Sequence, residues 1–259
     1  MIEPYYETKL GKLYHGDCLS IMKKMESNSV DLVVTSPPYN MRNRVRNGQY
    51  TEREKGEHLC RKYKFFDDAL DINDYYTLHK NVIKEMLRVS NIIAYNIQIV
   101  TGSKEALFQI IGDYKRNLKD IIIWDKGWGQ PAIAERVLNA SYELILILES
   151  DAKVGRQITN AFFDRGTEPN ILRIGGNKRI KDTNIHGAIF PIELPTKLIQ
   201  MFSPDDAVIL DPFMGMGSTA VAAEKLKRKW IGCEVSKEYC DLSINRLKEV
   251  RREILTFGE

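Results

Sequence analysis

Cysteine and histidine are scarce in this chain of 259 residues, four of each. The cysteines (Cys18, Cys60, Cys233 and Cys240) form no CxxC pair, and their spacing fits neither a disulfide framework nor a zinc site. The histidines offer no HExxH pair, so no residue is assigned as a metal ligand. No apolar run reaches the roughly eighteen residues that a membrane helix needs. The opening segment MIEPYYETKLGKLYHGD is too polar for the apolar core of a secretory signal. A cytoplasmic protein without membrane association is expected. A strong charge of one sign is missing too: the net charge of +3 is too mild to name a nucleic-acid partner by itself.

What is present reads as a globular domain with 43% hydrophobic and 28% charged residues. The length suits a single large α/β domain spanning 1–259. Short β-branched runs alternate with helical stretches, which predicts a mostly parallel sheet with helices on both faces. Strands are expected at KLYHGD, SVDLVVTS, NIIAYNI, KDIIIWDK, YELILILES, AVILDPF and KWIGCEV. Helices are expected between them, one of them capped by Asp71 or Asn73.

Two segments break the alternation. Residues 41–66 lack periodicity and read as a long mobile loop, a length that in a compact domain points to function or disorder. Eight Lys and Arg residues lie between Arg42 and Lys64 against three acids, so phosphates are a natural partner for this loop. Residues 151–185 are polar and irregular, a small insert whose RIGGNKRIK run (173–181) carries four basic residues and no acid.

Chemistry concentrates at two places. In VILDPFMGMGSTAVAAEKLKRKWIGCEV (208–235) a strand, a glycine turn, a helix and a second strand end in an acid. Gly215 and Gly217 let the backbone approach a ligand at a helix start. Glu234 follows Gly215 by nineteen residues, near the ~20-residue spacing at which an acid meets a ribose hydroxyl. No GK[ST] follows the glycines, which excludes a phosphate-cradling Walker loop. Asp211 before the turn would repel a pyrophosphate but could pair with an ammonium. S-adenosylmethionine, with its ammonium, sulfonium and ribose, fits this pattern better than NAD.

The second place is VVTSPPYN (33–40). Pro37 and Pro38 remove two backbone donors and fix φ, so the nearby carbonyls keep a set direction. The Ser36 hydroxyl and the Pro37 carbonyl could accept both hydrogens of an exocyclic amine, and Tyr39 could offer a stacking face to a flipped base. The plain alternative is a proline corner closing an edge strand, with Tyr39 in the core.

Together these stretches resemble the β-type amino-methylating DNA methyltransferases. TSPPYN resembles their catalytic motif, LDPFMGMGST their cofactor motif, and HGAIFPIELPTKLIQMFS their adenosylmethionine segment. Catalytic motif first and cofactor motif last is the circularly permuted order of that group. The resemblance covers residues 10–40 and 186–250 closely, with GMGST standing where GSGTT is frequent and Gly187 where proline is frequent. It implies a Rossmann-like methyltransferase fold, with Ser36, Pro37, Pro38 and Tyr39 at the target amine. Asp211, Phe213, Gly215, Gly217 and Ser218 would hold the methionine part of S-adenosylmethionine, and Glu234 its ribose. Asp17 would contact the adenine amine, with Cys18 beside it, and Phe190 and Lys197 would line the pocket.

The function implied is site-specific methylation of double-stranded DNA by a monomer or homodimer. A cognate restriction endonuclease is a compatible partner. Ser36 stands where adenine enzymes of the group commonly carry aspartate or asparagine, so cytosine N4 is the expected target and adenine N6 the alternative. The loop 41–66 would contact DNA, and the insert 151–185 would recognise the target sequence. A non-catalytic DNA-binding module and an NAD-dependent oxidoreductase are the competing classes. Both motifs are intact, which disfavours the first, and no proton-relay residue accompanies the glycine turn, which disfavours the second.

Overall fold

The computed structural model describes residues 3–41, 43–46, 49–52, 70–130, 136–175 and 190–257. Nine strands form one sheet: β1 (Tyr6–Glu7), β2 (Gly11–His15), β3 (Val30–Thr35), β6 (Ser90–Ile97), β7 (Leu118–Gln130), β8 (Ala140–Glu149), β9 (Ile171–Arg173), β10 (Val208–Asp211) and β11 (Lys229–Glu234). Their order is β1-β2-β11-β10-β3-β6-β8-β7-β9. Strands β2, β11, β10, β3 and β6 run parallel, whereas β8 is antiparallel to both β6 and β7. The α/β architecture and the mostly parallel sheet expected from the alternation are present.

Helices α1 (Cys18–Met22), α2 (Ile72–Val89) and α3 (Lys104–Asp113) cover one face, and α4 (Glu193–Phe202), α5 (Ser218–Lys225) and α6 (Lys237–Phe257) the other. Alternation along β3 shows why both faces are needed: Leu32 and Val34 pack with α4–α6, while Val33 between them packs with α1–α3. Helix α2 starts where Asp71 accepts a hydrogen bond from the Asn73 amide (2.8 Å), and buries Tyr75, His79, Val82, Ile83 and Met86 at helical spacing. Among the described residues no helix is long and apolar enough to cross a membrane.

The permuted motif order has a simple spatial consequence. Strands β3 and β10 lie far apart in sequence but side by side in the sheet, with Leu32 opposite Ile209 and Val33 opposite Leu210. From β10 the chain crosses to β11 on one side, and from β3 it crosses to β6 on the other. The two crossovers diverge at adjacent strands, which opens a crevice at their carboxyl ends.

The proline corner closes β3, the strand expected at SVDLVVTS, and β3 is central and buried, which removes the edge-strand alternative. One expectation changes. Within 41–66 the described residues form a two-stranded antiparallel hairpin, β4 (Asn43–Arg46) with β5 (Gln49–Glu52); Arg42, residues 47–48 and residues 53–66 lie outside the described residues, as does Cys60. The described part of the expected insert, residues 151–175, packs onto the sheet. Strand β9 pairs with β7, Leu172 is buried, and the Asn160 amide reaches Glu149 Oε1 at 2.9 Å. The remainder of that segment, residues 176–185, lies outside the described residues.

Candidate functional site

The carboxyl ends of β2, β11, β10 and β3 bring the sequence-chosen residues to one crevice. Asp211, the last residue of β10, is buried, and its Oδ1 accepts from Thr35 Oγ1 (2.7 Å) and the Phe213 amide (3.1 Å). Burial pushes its carboxyl up to about 6, against the counter-pull of Thr35, Thr219 and the Phe213 amide. Glu234 closes β11 and is also shifted upward by burial. Its Oε2 accepts from the Gly215 amide and its Oε1 from the Ser236 amide, both at 2.8 Å.

The turn between these acids depends on its glycines. Gly215 (φ 49°) and Gly217 (φ 75°) both adopt left-handed backbone. A side chain on Gly217 would also meet Ser243 Cβ at 3.0 Å and Met214 Cε at 3.1 Å, so α6 leaves it no room. Gly215 is less crowded, since a side chain there would meet only the Phe213 carbonyl oxygen, at an ordinary contact distance of 3.9 Å. Arg246 on α6 steadies the turn by donating to the Met216 carbonyl (3.1 Å) and Ser218 Oγ (2.9 Å).

The remaining cofactor candidates surround this core. Asp17 caps α1 through Oδ2 and the Ser20 amide (2.8 Å), next to buried Cys18, whose thiol is pushed up to about 12 by burial and by Asp17. Ser218 Oγ donates to the Phe190 carbonyl (2.6 Å), and the Phe190 ring meets Trp124 edge to face. Lys197 is committed elsewhere: its Nζ pairs with Glu168 Oε1 at 2.7 Å.

Across the crevice, the corner is fixed from several sides. The Tyr75 hydroxyl donates to the Pro38 carbonyl (2.9 Å), and Asn40 (φ 58°) donates to the Leu70 and Gly102 carbonyls, both at 2.9 Å. Among the described residues no donor reaches the Pro37 carbonyl. Tyr39 departs from the expectation of a stacking face: it is only 3% exposed. Its hydroxyl instead joins a polar cluster, 2.7 Å from Ser36 Oγ, 2.8 Å from Glu143 Oε2 and 2.6 Å from Asn96 Nδ2.

Asn96 and Glu143 were not singled out in the sequence. Each is a buried polar residue at the crevice end of a strand whose neighbours are apolar, β6 and β8 respectively. That interruption of an apolar run was the available signal. Lys126 Nζ balances Glu143 from 3.0 Å, and Asn96 Oδ1 is buried without a partner among the described residues.

Fit to a ligand can be judged from this donor and acceptor set. Both buried carboxylates have hydroxyl or amide donors, but among the described residues neither has an ion-pair partner, and a buried anion without a cation is costly. A ligand carrying both an ammonium and vicinal hydroxyls would relieve both, and S-adenosylmethionine is such a ligand.

Comparisons with known proteins give the family and the fold. The model of a DNA methylase family, the N6/N4 methyltransferases, matches residues 30–245. The type II methyltransferase M.BamHI of Bacillus amyloliquefaciens is 28% identical over 290 aligned residues, covering 100% of this chain; the chain spans 62% of that relative's length. The fold is similar to that of PvuII DNA methyltransferase (cytosine-N4-specific), with a TM-score of 0.71 at 20% identity over 98% of this chain and 95% of the other. It is also similar to M1.HpyAVI, solved as a complex with SAM, with a TM-score of 0.63 at 20% identity over 92% and 99% of the two chains. The chain belongs to the N6/N4 DNA methylase family.

Proposed function

We propose that this family member is a site-specific DNA methyltransferase that moves the methyl group of S-adenosylmethionine to the exocyclic amine of a flipped base, cytosine N4 by preference. The observation that carries the proposal is the hydrogen bond from Thr35 to Asp211, 2.7 Å long. It joins the strand end that would hold the cofactor to the strand end that delivers Ser36, so donor and acceptor of the methyl group would be positioned by adjacent strands.

When bound, S-adenosylmethionine supplies an electrophilic methyl group on a positively charged sulfur. The protein's part is positioning and desolvation. Asp211 would pair with the ammonium, and Glu234, already held by two backbone amides, would accept from the ribose hydroxyls. Ser36 Oγ and the Pro37 carbonyl would each accept one hydrogen of the target amine. Their pull localises the nitrogen lone pair, which otherwise delocalises into the ring. Cys18 stays a protonated thiol and takes no nucleophilic part. The basic segment 41–66 is proposed to track phosphates and the segment 151–185 to contribute to sequence recognition.

The test is transfer of labelled methyl groups to mixed-sequence DNA, followed by digestion to nucleosides and mass spectrometry. N4-methylcytosine is expected. N6-methyladenine as the only product would replace the base assignment with the alternative and leave the reaction class standing. Retained DNA binding without any incorporation would overturn the enzyme in favour of a binding module.

A further inference from the structure

We propose that Glu143, acting through the Tyr39 hydroxyl, forces Ser36 to face the target amine as a hydrogen-bond acceptor and takes up the proton that the amine sheds. The inference rests on the amine-methylating function proposed above.

Hydrogen counting gives the direction. A carboxylate has no hydrogen to give, so Tyr39 donates to Glu143 Oε2 across 2.8 Å. With its one hydrogen committed, the Tyr39 oxygen can only accept, and Ser36 must donate to it across 2.7 Å. Asn96 Nδ2 enforces the same polarity: its two hydrogens serve the two near acceptors, Tyr39 Oη and Glu143 Oε2, both at 2.6 Å, while Ser36 Oγ lies farther off at 3.2 Å. The Ser36 hydrogen is thus turned away from the crevice, leaving a lone pair for the amine. Both partners of Ser36, and the Glu143 beyond them, are nearly or fully buried, so water does not compete for these bonds: Asn96 is 0%, Tyr39 3% and Glu143 7% exposed. Lys126 Nζ compensates the carboxylate charge at Oε1, 3.0 Å away.

Serine alone is a weaker acceptor than the carboxylate or amide that adenine enzymes of the family commonly carry at this position. Here the carboxylate is present but two hydroxyls removed. The proton step balances along the same path. The amine lone pair forms the new nitrogen–carbon bond, and the electrons of the carbon–sulfur bond go to sulfur. The methylated nitrogen, now cationic, passes a proton to Ser36 Oγ as Ser36 passes its own to Tyr39 and Tyr39 passes its own to Glu143. Nitrogen returns to neutrality, both hydroxyls are restored, and the proton rests on Glu143.

The experiment is single-turnover methylation at saturating DNA and cofactor. In Glu143→Gln the amide can donate where the carboxylate could only accept, which releases Tyr39 to donate back to Ser36 and reverses the chain. The rate should fall about 100-fold, within the range of general-base contributions, while cofactor and DNA dissociation constants stay within about twofold. Tyr39→Phe, which keeps the buried ring, should lose a similar factor, and the double variant should be no slower than the slower single one. Rates within about threefold of wild type in both single variants overturn the inference, as does a loss of rate matched by a loss of binding. An inactive wild-type protein would instead sink the methyltransferase function itself, and the relay with it.

Discussion

The core of the proposed cofactor half comes from one continuous stretch, residues 208–234, folded as strand, turn, helix and strand, with Asp17 and Phe190 beside it. The amine half is gathered from β3, β6 and β8, with Ser36 and Asn96 separated by 60 positions and Asn96 and Glu143 by 47. The first half works through backbone amides that hold Glu234 and through glycines in left-handed conformation. The second works through side chains that orient one another. A backbone-built site is set by local geometry and tolerates changes elsewhere, whereas a side-chain cluster fails when any one member loses its partner.

That contrast is broken most severely at Asp211. Asp211→Asn keeps an oxygen to accept from Thr35 and Phe213 but removes the charge that would meet the ammonium. Losing one partner of a buried charge pair costs roughly 2–5 kcal/mol, so calorimetry should show cofactor affinity down about 100-fold or more. Thermal stability should hold or rise, because the variant no longer buries an anion. Unchanged affinity would remove Asp211 from the cofactor half.

Ser36→Ala should strike the other half alone. The amine loses its acceptor and the hydroxyl chain its first member, and single-turnover rates should fall about 100-fold. Cofactor affinity should stay within about twofold, since Ser36 touches none of the cofactor candidates. If both variants harmed binding and rate alike, the division into halves would be wrong.

The pH dependence sharpens the difference. Asp211 is raised to about 6 by burial and must be ionised to pair with an ammonium, so protonation competes with the ligand. Affinity should be level above about pH 7 and weaken by about tenfold per pH unit below about 6. Glu234, shifted in the same direction, steepens the fall. In the free protein the sign is opposite. A carboxyl raised above its ordinary value opposes folding when ionised, so that cost grows as pH rises from the ordinary range toward 6 and is absent below it. Calorimetric titrations of cofactor binding between pH 5 and 8 should show a shallower fall in Asp211→Asn, with only the share of Glu234 remaining.

The same contrast explains what could be read from the sequence. The turn at Gly215 and Gly217 and the acids at either end lie on one supersecondary unit, whose spacing is fixed by a strand, a helix and a strand. Asp17 and the proline corner close strands that hydrophobic runs announced. Asn96 and Glu143 were invisible as a pair because only the sheet order places β6 beside β3 and β8 beside β6, and strand order is a long-range property. Lys197 was carried over from a resemblance, and its pairing with Glu168 depends on how 151–175 folds back, which no local pattern encodes. Tyr39 illustrates the third kind of miss: its residue type suggested a stacking face, and its neighbours in space gave it a buried hydroxyl partner instead.

Tyr75→Phe should give the smallest effect, and it probes whether the corner is held by its prolines alone. Tyr75 is fully buried on α2, its ring lies 4.0 Å from that of His79, and its hydroxyl is the donor to the Pro38 carbonyl. His79 is held neutral, its imidazole driven down to about 3 by burial, and its Nδ1 is hydrogen-bonded to the Tyr95 hydroxyl. Phenylalanine preserves the ring and removes the hydroxyl, leaving the Pro38 carbonyl, at the proposed amine site, without that donor. A buried acceptor left unpaired costs about 1–3 kcal/mol, which urea denaturation should register as a lower midpoint with an unchanged slope. The prolines still fix φ at positions 37 and 38, so the corner should loosen rather than collapse. Turnover should fall only a few-fold, about threefold to tenfold if one or so kcal/mol of positioning is lost, with cofactor affinity unchanged. Because His79 stays uncharged, the loss should be the same at pH 6 and pH 8. A variant with full turnover and full stability would show that the proline ring pair positions the corner unaided, and that the amine half depends on fewer partners than its side-chain cluster suggests.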